Sequence, residues 1–275
     1  MRFLWAMIVV GWLAATPAHA QSGARIGLGA AAFGAGNTHL TVADTWAVFN
    51  NIGALGRCRT AGVGVHTTQQ YGILAFTTVG AAVAMPLTLG SLEGTAGLGF
   101  WQFGDALYNE SQILLGYGHR LGMVSLGIQA GYFQTMIQEM GVTRRLSLAF
   151  GGVADLRPDL RMGMHIYNFG QAEDLPTIMR AGIAYQPLDR WQLQLETEKE
   201  IDEKPIWKAG LSYWLLPQKF VLRTGASANP FMNYFGMGLV YRALQIDYAL
   251  ATHPVLQVSH HLSVSYRLSR RDTER

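Results

Sequence analysis

Charge, cysteine and long apolar runs are all scarce in this 275-residue chain. Lys, Arg, Asp and Glu make up 14% of it, against about 25% in soluble domains. That is too little to coat a fully solvated surface. The single cysteine, Cys58, excludes an intrachain disulfide and reads as an inert strand residue rather than a reactive or intermolecular thiol. Beyond the N-terminal segment, no stretch supplies the roughly 20 uninterrupted apolar residues of a membrane helix. A net charge of +3, partly owed to the tail at 270–275, argues against a nucleic-acid partner.

Recognisable catalytic patterns are also missing. There is no Gly-x-Ser-x-Gly elbow. The run Gly27-Leu28-Gly29-Ala30-Ala31-Ala32 resembles a dinucleotide fingerprint, but no βαβ pattern follows it. His260 and His261 are adjacent in an alternating segment, so they face opposite sides and cannot chelate a metal together. Glu196 and Glu198 share one strand face, yet Lys199, Glu200, Asp202, Glu203 and Lys204 beside them suggest a solvated hairpin rather than an acid/base pair. No catalytic, cofactor or metal site is expected.

The chain is rich in glycine (32), in aromatics (12 Phe, 11 Tyr, 7 Trp) and in alternation. From His261 to Leu268, Leu262, Val264, Tyr266 and Leu268 point one way, and His261, Ser263, Ser265 and Arg267 the other. This pattern recurs from about residue 58 onward, behind an expected signal peptide. That leader combines basic Arg2, an apolar run from Phe3 to Ala15 and the small-x-small site Ala18-His19-Ala20. The expected organisation is a leader at 1–20, an N-terminal segment at 21–57 and a wall of strands at 58–275. Strands with one apolar and one polar face behind a leader point to an all-β fold, a transmembrane antiparallel β-barrel of the outer membrane.

Fourteen strands are expected, with cores near 59–67, 76–86, 94–103, 110–120, 124–134, 144–154, 160–168, 178–186, 191–199, 205–215, 220–228, 233–242, 244–252 and 260–269. Their connections alternate. Even-numbered ones such as 121–123, 155–159 and 187–190 are short, as periplasmic turns should be, and odd-numbered ones such as 169–177 and 253–259 are longer. The second (87–93), ninth and eleventh depart from the pattern. Charges in the polar phase belong in the lumen, because each costs about 2–4 kcal/mol on a lipid face near midplane. They are Arg180, Glu196, Glu198, Lys208, Arg223, Arg242, Asp247 and Arg267, with Glu196 and Lys208 opposite each other in one hairpin.

Residues 37–56 lack alternation. Asp44 is placed to cap a short helix at 45–49, and Asn50, Asn51 and Gly53 to end it. Trp46 and Phe49 need cover, which a plug folded into the lumen would supply; a surface lid or a periplasmic arm is the alternative.

The stretch Ala43-Asp44-Thr45-Trp46-Ala47-Val48-Phe49-Asn50-Asn51 resembles the N-terminal signature of FadL-like outer-membrane barrels, closest to the PorV/PorQ-like proteins. The segments Leu107-Tyr108-Asn109-Glu110 and Ser227-Ala228-Asn229-Pro230 are similar to that family as well. The sequence departs at Ile52-Gly53-Ala54-Leu55, where the family has Pro-Ala-Gly-Leu. The resemblance implies fourteen strands around an N-terminal plug and a non-enzymatic role. That role is type IX-like secretion or surface attachment, with secretion-machinery or cargo proteins as partners. The alternative is a FadL-type conduit for hydrophobic small molecules. A conduit needs a wall opening, and Gly80, Gly97 and Gly99 would permit a strand kink there.

Overall fold

The computed structural model describes residues 27–89, 92–170, 175–201 and 203–268. The expected leader, its cleavage site and the basic tail lie outside the described residues. The wall is a closed barrel of fourteen antiparallel strands in which β1 pairs with both β2 and β14. The strands are β1 Ala61–Gln69, β2 Thr77–Leu89, β3 Leu92–Gly104, β4 Tyr108–Leu121, β5 Val124–Ile137, β6 Gly141–Arg157 and β7 Leu160–Tyr167. The other half of the wall is β8 Ile178–Leu188, β9 Trp191–Glu200, β10 Ile206–Leu216, β11 Phe220–Ser227, β12 Met232–Tyr241, β13 Leu244–Thr252 and β14 Ser259–Leu268. Each expected core overlaps one of these strands.

Period two decides the two faces. Leu98, Leu115, Leu146, Leu195 and Trp207 lie on the outward phase and are 49–71% exposed. The inward phase carries buried Thr95, Gln112, Ser125, Gln129 and Glu196. An apolar exterior on every side of a closed sheet is unfavourable in water and favourable in hydrocarbon, so the barrel spans a membrane through its strands. Closure also pairs every strand edge, as a membrane interior demands.

The connections alternate more regularly than expected. At the end where β1 starts and β14 finishes, here called the terminal mouth, successive strands are joined by two or three residues. The second connection belongs to that set. Strands β2 and β3 stay in register up to Leu89 opposite Leu92, so the supposed loop at 87–93 is nearly all strand. At the opposite loop mouth the connections run from three residues (105–107) to ten (168–177).

Residues 27–58 do not join the wall. Three short helical turns, α1 Ala30–Gly34, α2 Ala47–Asn50 and α3 Ile52–Leu55, lie inside the barrel. Leu28, Leu40, Ile52 and Leu55 on this segment are at most 1% exposed.

Substitutions should expose the phase directly. Leu195→Arg and Ile183→Arg put a cation on the lipid face at about 2–4 kcal/mol each. Gln192→Arg puts it on the inward phase near the terminal mouth. Heat-modifiable gel mobility should show failed assembly for the first two and a folded band for the third. Equal damage from all three would mean the assignment of faces is wrong.

Candidate functional site

The luminal segment is held by the wall from several sides. On β14, Ser263 Oγ accepts from Ala30 N at 3.0 Å, and Ser265 Oγ accepts from Trp46 Nε1 at 3.0 Å. On β9, Glu196 Oε1 accepts from Leu40 N at 2.7 Å. On β5, Gln129 Nε2 donates to Val48 O at 2.6 Å and Ser125 Oγ to Gly53 O at 2.5 Å. These bonds satisfy backbone groups that a helix-poor segment could not pair by itself.

Each predicted plug residue has a definite place. Asp44 is not the cap of a helix at 45–49. Its Oδ1 accepts from Trp46 N at 2.9 Å, its Oδ2 lies 2.7 Å from His39 Nε2, and the helical turn begins later, at Ala47. Trp46 and Phe49 are buried, at 2% and 7% exposure. Asn50 Nδ2 donates to Leu28 O at 2.9 Å. Asn51 ends α2 and also starts α3. Its Oδ1 accepts from Gly53 N at 3.0 Å, and its Nδ2 donates to Leu40 O at 2.7 Å and to Gly152 O at 3.2 Å. The segment Ile52-Gly53-Ala54-Leu55 therefore forms a further helical turn, α3.

The wall glycines explain how the plug fits. A Cβ on Gly99 would lie 2.7 Å from the Phe49 ring, on Gly97 2.6 Å from Leu55, on Gly64 2.7 Å from Trp46, and on Gly80 2.5 Å from Leu28. Gly80, Gly97 and Gly99 thus make room for plug side chains, and β2 and β3 pair continuously past them. Gly36 combines a left-handed φ of 75° with backbone contact to Ala209 of β10, so no other residue fits there.

Five of the eight predicted luminal charges, Arg180, Glu196, Glu198, Lys208 and Asp247, are buried, and Arg223 is half-buried. Lys208 and Glu196 are register partners, as expected, but Lys208 Nζ turns to the diagonal neighbour Glu198, at 2.7 Å. Arg180 completes the group, with Nε 3.5 Å from Glu198 and Nη2 3.4 Å from Glu196. Arg180 also donates to Asn37 O and Asn50 O on the plug, both at 3.4 Å. Arg223 pairs with Asp247 at 2.8 Å. Arg242 sits exposed in the β12–β13 turn, 5.3 Å from the Tyr241 ring centroid, because its φ of 55° belongs to the hairpin. Arg267 keeps the inward phase but lies so near the end of β14 that it is exposed at the mouth. Glu196 and Glu198 are not solvated; both are buried.

Several luminal residues escaped the sequence reading. Trp101, Leu114, Phe133, Ala82 and, from the β7–β8 connection, Leu175 cluster with Leu28, Trp46, Val48 and Phe49, and Phe103 packs against them. Trp101 and Phe133 lie on the inward phase, which was the available signal. His261 faces the lumen and stacks on Phe33 of α1 at 3.8 Å, and His260 faces outward to Tyr248. Among the described residues, plug and wall side chains pack closely inside the barrel. A cavity of about 40 Å³ lies beside Gly27, Phe49, Gln112, His165 and Arg180. On the outside, Val65, Val79, Ala81, Phe100, Leu262 and Val264 surround an apolar hollow of about 390 Å³, with Gly80 and His66 at its floor.

No family model matches this chain, and no curated protein matches it in sequence. Solved structures do match its fold. The Pseudomonas putida toluene transporter TodX aligns at TM-score 0.65 and 12% identity, over 89% of this chain and 99% of that one. The Ralstonia pickettii toluene transporter TbuX aligns at 0.63 and 11%, over 88% and 99%. The monoaromatic hydrocarbon channel CymD aligns at 0.65 and 12%, over 89% and 98%. At such identities the likeness is one of fold.

Cys58 reports on the plug. Burial, with Asp44 beside it, pushes its thiol up to about 12, and Sγ lies 3.3 Å from Asp44 O. Buried and held largely as the thiol, Cys58 should be labelled by a maleimide only after denaturation. In Gly53→Ala the new Cβ would sit 2.5 Å from the backbone of Gly151 and Gly152. That overpacking should cost about 1–3 kcal/mol of seating and speed labelling of the folded barrel. Equal labelling of folded and unfolded wild-type protein would refute the buried plug.

Proposed function

We propose that this protein is a non-enzymatic outer-membrane conduit for hydrophobic small molecules, with the loop mouth outside the cell and the terminal mouth in the periplasm. The observation that carries this reading is a continuous apolar track. Phe76, in the first connection of the loop mouth, lies 6.0 Å from Phe103. Phe103 packs on the cluster of Trp101, Phe133, Leu114, Phe49 and Leu28. Leu28 rests on Gly80, and the apolar hollow in the lipid-facing wall lies on the other side of Gly80.

The loop mouth supports the same reading. Its seven connections each present an exposed large apolar side chain: Leu74, Leu107, Met140, Phe169, Ile201, Phe231 and Val255. A hydrophobic solute gains by leaving water at such a rim, at about 25 cal/mol per Å² of apolar surface removed. The proteins of similar fold include toluene transporters and a monoaromatic hydrocarbon channel, which favours the same class of solute. The other expected role, secretion or surface attachment, needs an extracellular platform for protein partners. Connections of three to ten residues offer little of one.

In this closed form the track is filled with side chains. The internal cavity of about 40 Å³ is far below the roughly 150 Å³ that holds a benzene. Passage therefore requires the plug or its aromatic neighbours to yield. The outer hollow is large enough to receive a monoaromatic molecule bound for lipid.

Uptake of labelled toluene by an outer-membrane host without such channels tests the reading. Expression should raise the initial rate above that of the empty-vector host. Ala81→Trp, which fills the outer hollow without touching the plug, should return uptake towards background while heat-modifiable mobility stays normal. A folded, inserted wild-type barrel that leaves uptake at background would sink the conduit.

A further inference from the structure

We propose that the terminal mouth of the lumen holds an anion site for a phosphate-bearing group, built by Arg57, Arg120 and Arg161 around Asp155. Arg57 is on the plug, just before the wall begins. The other three lie on the inward phase of β4, β7 and β6. Arg57 Nη2 is 2.6 Å from Asp155 Oδ1, Arg120 Nη2 is 3.3 Å from Oδ2, and Arg161 Nε is 3.5 Å from Oδ1. Three guanidinium cations thus share one carboxylate. Asp159, the next carboxylate along the chain, is taken by Arg157 at 2.5 Å.

The cluster carries a surplus of two positive charges and of unspent N–H donors. Arg57 is decisive, because its side chain is 10% exposed and its Nη1 is buried with no hydrogen-bond partner among the described residues. A buried charged donor without an acceptor is costly. Water would satisfy the donor but not the charge. A phosphate would answer both, since its several oxygens match the planar forks of guanidinium groups. The site is also reachable, with Arg120 and Arg161 side chains each 35% exposed at the mouth. An anion held there would tie Arg57, near the end of the plug, to strands β4 and β7 of the wall. It would thereby favour the seated plug, because a ligand that binds one state stabilises that state.

Two sources fit this chemistry: a soluble phosphate compound of the periplasm, or the headgroup of a phospholipid reaching over the rim. Detergent-purified full chain is titrated with inorganic phosphate at ionic strength held constant with sodium chloride, and the midpoint of heat unfolding is read by gel mobility. In parallel, phospholipid retained after extraction from the membrane is measured by mass spectrometry. Phosphate should raise the midpoint where chloride does not. Arg120→Gln and Arg161→Gln should each weaken the apparent affinity about tenfold, the loss of one charge-assisted contact. Asp155→Asn removes the competing carboxylate and should tighten binding. A phosphate response assigns the soluble source. Retained anionic phospholipid that is lost in the Arg120→Gln/Arg161→Gln double variant assigns the headgroup. The proposal is overturned if neither ligand binds, if the double variant binds both as well as wild type does, or if Asp155→Asn weakens phosphate binding.

Discussion

The rest of this structure depends on one constraint: a closed fourteen-stranded wall encloses a lumen that the chain itself must fill. The wall side chains alone do not fill it, because much of the inward phase is glycine, serine and threonine. The N-terminal segment supplies the missing volume and brings Trp46, Phe49, Leu28 and Ile52 out of water. Burying each of these is worth roughly 1.5–3 kcal/mol. The glycines of β1 to β3 set the approach distance, since Gly64, Gly80, Gly97 and Gly99 leave no room for a Cβ beside the plug. Plug and wall are therefore one packed unit, not a cork in a pipe.

The second constraint is electrostatic. A barrel in lipid cannot put its charges outside, so they collect in the lumen and at the rims. Inside, Arg180, Glu196, Glu198 and Lys208 form one connected group, and Arg223 pairs with Asp247. Removing one member of such a buried set leaves an uncompensated charge, typically at about 3–5 kcal/mol. Arg180 and Glu196 also bond the plug backbone, so the same charges that balance the wall hold the plug. At the terminal mouth the balance tips positive, where Arg57, Arg120 and Arg161 meet around Asp155.

These two features divide the lumen by chemistry. One side, β1 to β5, carries Trp101, Leu114, Phe133 and the glycines that the aromatic half of the plug packs against, with neutral polar groups such as Gln112 and Gln129 between them. The other, β8 to β13, carries the ion pairs and grips α1 and the chain that follows it. Transport of a hydrophobic solute would use the first side. There the seal rests on packed side chains, which shift rotamer more cheaply than buried ion pairs separate.

The sequence by itself determined the wall. Strict alternation in segments such as Trp191–Glu196 and Leu262–Leu268 settles which side chains face lipid, because a one-residue slip would reverse every one of them. It also settled the strand count, while the place of Trp46 and Phe49 stayed open between a plug, a surface lid and a periplasmic arm. What only the tertiary structure decided is who meets whom inside. Lys208 stands opposite Glu196 but bonds Glu198, Arg180 rather than Arg223 reaches the plug, and Arg57 finds three residues more than sixty positions away. Arg242 has a strand-like neighbourhood in sequence and a hairpin position in space. The second connection looked long and proved to be paired strand. The reason is physical. Period two is a local property of a pleated backbone, whereas luminal contacts depend on how fourteen strands are staggered at closure and on where a non-repeating segment comes to rest among them.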